Sequence, residues 1–195
     1  MYKHNYKRQL IALLLICLAP SSVYSATIPR SDQDFMLLPP FCSAKMRELG
    51  TEKSAYWHKK IGRDTYMHLH HLCNGLHGIN ILQTMSSRKP QYNRVIRSSL
   101  GGIDYVLDRT NQNIPLYPYM LLKKAEVLIL AKQPGEAIKL LEQAISIRSN
   151  YTPAYIKLSG IYKQRGNKNA AKEILTQGLK QNPKSKVLQK RLKEL

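Results

Sequence analysis

His68, His70, His71, Cys73 and His77 fall within ten residues of one another, with His58 upstream. On a helix, His70, Cys73 and His77 stand at i, i+3 and i+7 and share a face. Imidazole and thiolate at that spacing could hold a metal ion, and several imidazoles titrating near neutrality could sense pH. No further ligand closes the set, and an oxidised Cys73 offers no thiolate, so no metal and no cofactor is expected. Nucleophilic chemistry finds no motif: there is no G-x-S-x-G elbow, no H-E-x-x-H pair and no glycine-rich phosphate loop. The 12 Asp+Glu residues form no recognisable glycosidase pair. The chain reads as non-enzymatic.

The histidines lie on a long helix capped by Asp64 or Thr65. Met67, Leu69, Leu72, Leu76, Ile79 and Leu82 recur at three and four residues, which is helical spacing. Gly75 and Gly78 on that helix permit close approach of a neighbour, at a cost of up to ~1 kcal/mol each in helix propensity. A turn over 86–90 leads to a second helix marked by Val95, Ile96, Leu100, Ile103, Val106 and Leu107. Together 64–112 forms a divergent helical hairpin. Upstream, 26–63 reads as an extension with short helices. Its first residues, 26–38, lack any period and are expected to form an extended or mobile entry. Pro39-Pro40 gives a stiff, non-helical approach. Ser43 is expected to cap a short helix through Glu48, ended by Gly50, and a second starts at Thr51 and ends near Gly62.

Lys3, Lys7 and Arg8 precede an apolar run, Leu10 to Leu18, too short to span a bilayer, and small residues follow at Ser25-Ala26. That layout predicts a signal peptide over 1–25 and export. A periplasmic location is expected first; secretion, or an uncleaved N-terminal membrane anchor, is the alternative. The mature chain of about 170 residues suits one domain. In an oxidising compartment the two remaining cysteines, Cys42 and Cys73, are expected to pair, with two buried thiols as the alternative. The full chain carries 31 Lys+Arg, a formal net charge of +19. Such an excess favours acidic partners: acidic protein segments, anionic polysaccharide or lipid headgroups. Nucleic acid is disfavoured by export and by the lack of any base-reading motif.

The second half repeats itself. Ala171 lies 34 residues after Ala137, Leu175 after Leu141 and Tyr155 after Leu121. A fixed period in this range marks a solenoid whose units bury their apolar faces only against neighbours. The stretch Tyr155-Ile-Lys-Leu-Ser159-Gly-Ile-Tyr162-Lys-Gln-Arg-Gly166, followed by Ala171, Leu175, Gly178 and Pro183, resembles the tetratricopeptide repeat family. Ser159 stands for the usual Gly and Gly178 for the usual Ala. The preceding unit keeps Ala125, Leu128, Ala137, Leu141 and Ala144, but Ser149 stands where Pro is usual.

The resemblance implies an all-α fold, a right-handed superhelix of helical hairpins with repeats at 118–151 and 152–185 and a capping helix at 186–195. It also implies a concave groove lined by the first helix of each hairpin. Carried onto this chain, the groove residues are Tyr119, Leu122, Lys123 and Glu126 in one repeat. In the next they are Ile156, Lys157, Gly160, Lys163 and Gln164. Lys123 and Lys157, 34 apart, should stack and suit an acidic segment. Leu122 and Ile156 replace the polar clamp of chaperone-tail receptors, which argues against that role. The function implied is an adaptor or assembly factor in a cell-envelope process, such as polysaccharide export, secretion or pilus assembly. Direct binding of anionic glycan or a membrane surface by the basic face is the alternative, and dimerisation through an exposed end is left open.

Overall fold

The computed structural model describes residues 27–195. The signal peptide expected over 1–25 lies outside them. Among the described residues the fold is all-α, and no helix is long and apolar enough to cross a membrane.

The extension is more helical than its composition predicts. Helix α1, Asp32–Met36, occupies a segment expected to be extended; Ser31 and Asp34 close a reciprocal capping box at its start. Helix α2, Pro40–Met46, begins at the second proline rather than after Cys42. Proline is tolerated there because the first helical N–H has no intrahelical acceptor to lose. Ser43 is therefore inside α2 and caps nothing; its hydroxyl donates to Glu48 Oε1 at 2.8 Å. Helix α3, Glu52–Ile61, has Thr51 as its N-cap and ends at Gly62, whose φ of 91° suits a residue without Cβ.

Helix α4, Arg63–Thr84, starts directly at Gly62, so neither Asp64 nor Thr65 caps it. It pairs with α5, Tyr92–Leu107, and the glycines explain how closely. A Cβ on Gly75 would lie 2.8 Å from Ile103 Cγ1 and 2.9 Å from the Ser99 carbonyl oxygen. One on Gly102 would lie 2.5 Å from the His71 carbonyl oxygen. The two backbones thus cross where only glycine fits. Of the expected core positions of α4, Met67 is the exception at 57% exposed, while Leu69, Leu72, Leu76, Ile79 and Leu82 are buried.

Helices α6 (Tyr117–Leu130), α7 (Pro134–Ile147), α8 (Thr152–Gln164) and α9 (Lys168–Gln181) form two more hairpins. The 34-residue period is visible in their backbone. Lys132 closes α6 at φ 59° and Gly166 closes α8 at φ 75°. In both turns the next amide reaches back, Gln133 to the Leu128 carbonyl at 2.8 Å and Asn167 to the Tyr162 carbonyl at 2.9 Å. Side chains tether successive hairpins with the same period. Arg148 donates to the Pro115 carbonyl, and 34 residues later Asn182 donates to the Asn150 carbonyl. Helix α10, Lys186–Lys193, is capped by Ser185 and seats Leu188 against Tyr155 and Leu175. Gly178 beside it leaves room for Tyr155, whose Cγ lies 2.9 Å from where an alanine Cβ would be.

A candidate binding groove

Thr27 bonds Ser98 of α5 at 2.9 Å, and the short helices of the extension meet one face of α4. At about 100° per residue, Tyr66, Cys73, His77 and Asn80 share a face, and Gly75, Gly78 and Leu82 lie opposite, toward α5. Each residue of the first set touches the extension. Cys73 is disulfide-bonded to Cys42 of α2, with a Cα–Cα distance of 5.6 Å and both residues fully buried. The Tyr66 hydroxyl bonds Ser54 Oγ at 2.8 Å and donates to the Ala44 carbonyl at 3.3 Å. Asn80 donates to the Leu37 carbonyl at 3.1 Å, and His77 Nε2 stands 3.9 Å from Asp34 Oδ1.

The side of α4 turned away from α5 is the side that stacked hairpins leave facing their groove. The extension occupies it and continues onto α6, where Phe41 meets the Tyr119 ring edge-to-face at 6.3 Å. Two expected groove residues are not open to solvent. Leu122 is 6% exposed and belongs to the core, not to an open groove. Tyr119 is partly buried, and burial followed by the nearby Glu126 charge pushes its hydroxyl pKa far above the ordinary value. Lys123 points its ammonium over the Tyr119 ring, 5.5 Å from the centroid.

Farther along, the concave face stays open as a cleft of about 340 Å³. Glu126 of α6 and Ile156, Lys157, Gly160, Lys163 and Gln164 of α8 line it, six of the nine residues carried over from the repeat pattern. Ile79 of α4 and Ile129 and Leu130 of α6 extend the apolar wall. Arg191, Glu194 and Leu195 close one end. These last three were hidden from a reading that treats the final helix only as a cap. Their signal was the three-residue offset of Arg191 from Leu188 and of Leu195 from Leu192.

The electrostatics differ from the expectation of two free lysines. Glu126 lies between them, 2.9 Å from Lys123 Nζ and 3.1 Å from Lys157 Nζ. The carboxylate is the most enclosed of the three, its side chain 16% exposed. Lys163 donates to the Glu194 carbonyl oxygen at 2.9 Å, a neutral acceptor that leaves its charge uncompensated. Arg191 shares the Glu194 carboxylate at 3.4 Å. The cleft and its margin therefore hold four cations against two carboxylates, with isoleucine and leucine between them.

The histidines do not converge. Cys73 is consumed by its disulfide, so His70, Cys73 and His77 make no ligand set. Among the described residues no group of three or more His, Cys, Asp or Glu side chains is placed to hold a metal ion. His71 stacks on Tyr105 at 4.0 Å and on His70 at 4.1 Å. Burial lowers the pKa of His70, His71 and His77, and Asp34 opposes the effect only at His77. Asp34 itself is held at about 2, chiefly by the backbone N–H groups of Arg30 and Ser31.

Residues 128–194 match the tetratricopeptide repeat family. No curated protein and no solved structure matches the chain significantly.

Proposed function

We propose that this chain, whose residues 128–194 are of the tetratricopeptide repeat family, is a non-enzymatic adaptor or assembly factor of the cell envelope. Repeats of this family are protein–protein interaction modules. The reading places the partner in the cleft between α6, α8 and α10, as a short segment carrying an apolar anchor and a carboxylate. The observation that carries it is the composition of that cleft: an isoleucine–leucine wall beside the uncompensated Lys163 and the half-exposed Lys157. Apolar burial supplies affinity, and the cations select an acidic neighbour and orient it.

The partner segment is short on this reading because α1–α2 already cover the groove side of α4 and the start of α6. A long helix laid along the whole concave face would collide with α2, which Phe41 and the Cys42–Cys73 bridge hold against α6 and α4. The envelope assignment rests on the leader read from residues 1–25 and on the buried disulfide, which persists in an oxidising compartment.

The test is a pull-down from envelope extract with the mature, oxidised protein and its Ile156→Asp variant, at low and high salt. The proposal expects a discrete protein that survives high salt and is lost with Ile156→Asp. Equal capture by both proteins would refute the cleft as the site.

A further inference from the structure

The cations of the cleft are largely paired, whereas those on the outer side of the last two helices are not. Between Arg165 and Leu195 the sequence has nine Lys+Arg against Glu173 and Glu194 alone. Lys172, Lys180, Lys184, Lys186 and Lys193 are all exposed, and among the described residues no carboxylate stands within ion-pair distance of them. Lys190 has only a loose contact, 3.9 Å from Glu194 Oε1, with its side chain 77% exposed.

Helix geometry sorts the terminal helix into two sides. Leu188 and Leu192 of α10 face the array, and Leu188 is fully buried. Lys186, Lys190 and Lys193 stand at i, i+4 and i+7 on the opposite side, within about 60° of one another at 100° per residue. Val187 flanks this lysine row and is 45% exposed, one of few large apolar side chains so exposed in the described residues.

We propose that the outer face of α10, with the adjoining Lys180 and Lys184, docks on an anionic lipid bilayer. Each lysine close to such a surface contributes about fivefold in partitioning. A valine set beside the row suits a layer with charge above and hydrocarbon beneath. Soluble polyanions have no apolar layer for it to enter, which is why the bilayer is favoured over glycan or nucleic acid. Docking would leave the cleft open, because Arg191 and Leu195 border it from the inner side of the same helix, more than 90° from Lys186, Lys190 and Lys193. The cleft mouth would then stand about one helix diameter, ~10 Å, from the headgroups.

The experiment is co-sedimentation of the full mature protein with vesicles of phosphatidylcholine alone and of phosphatidylcholine with 30% phosphatidylglycerol. Binding is expected only to the anionic vesicles and should fade as salt rises. Lys186→Gln/Lys190→Gln/Lys193→Gln should bind about 100-fold more weakly. A control removing the same charge elsewhere, Lys59→Gln/Lys89→Gln/Arg97→Gln, should lose far less. Val187→Asn, which removes the apolar group without changing charge, should weaken vesicle binding while leaving retention on soluble heparin nearly unchanged. Circular dichroism verifies that each variant is folded. No binding to anionic vesicles, or equal loss in both triple variants, would overturn the proposal; so would Val187→Asn weakening heparin as much as vesicles. Ile156→Asp should keep full vesicle binding, which separates failure here from failure of the cleft.

Discussion

Removing the Cys42–Cys73 bridge should cost the protein a large part of its stability, and the cost can be worked from its position. The bridge spans 31 residues of sequence. In the chain-entropy description, closing a loop of that length lowers the unfolded-state entropy by an amount worth about 3.7 kcal/mol. Both cysteines are fully buried, so Cys42→Ala/Cys73→Ala is the cleaner variant; serine would bury two hydroxyls without partners. For a chain of this size about 2–4 °C of Tm follows each kcal/mol. The double alanine variant should therefore melt about 7–15 °C lower in calorimetry at pH 7.5, with reductant producing a similar fall in the parent protein. The loss should also be uneven. The bridge holds α1–α3 on α4, whereas α8–α10 make their own contacts. Limited trypsin digestion should cut at Lys45, Arg47 and Lys53 long before Lys172. An unchanged Tm, together with unchanged protection at those three sites, would refute the reasoning that the extension is pinned to α4 by this bond.

Three further outcomes follow from the same geometry. Lys132→Gly should raise stability by about 0.5–1 kcal/mol in urea denaturation, because glycine accepts the left-handed conformation at no steric cost. Gly75→Ala should instead lower stability by about 1–3 kcal/mol despite the better helix propensity of alanine, since the new methyl meets the Ser99 backbone oxygen. Tm should fall as pH drops from 7 to 5. His70, His71 and His77 have lowered pKa values in the folded state, so below about 6.5 the unfolded chain binds more protons and stability is lost. His77→Gln should flatten part of that slope, and a slope unaffected by it would remove His77 from the explanation.

The repeats were legible because their determinants are local. The repeats read at 118–151 and 152–185 each hold one observed hairpin, α6–α7 and α8–α9, since apolar spacing and the closing turns recur within each unit. Lys132 shows where the pattern thins: it fills the position of Gly166 one period earlier, and only that spacing betrays its positive φ. The extension was harder because Pro39-Pro40 reads as a break, whereas its second proline begins α2, a use that depends on the orphan N–H groups of a helix start. Leu122 reads as a groove residue from its own repeat, which does not say that it joins a core cluster with residues as distant as Phe41, some 80 positions earlier. Likewise Glu126 holds Lys157 across 31 residues. The sequence shows two lysines in register, and only the fold shows the carboxylate between them.

The cleft can be addressed directly by placing a photo-crosslinking amino acid at Gln164, inside it, and in parallel at Gln177 on the outer face of α9. Irradiation is performed in intact cells, and the products are resolved by mass. The account expects one discrete protein adduct from position 164, abolished by Ile156→Asp, and none of the same mass from position 177. The same adduct from both positions, or from 164 regardless of Ile156, would contradict the claim that the cleft between α6, α8 and α10 holds the partner.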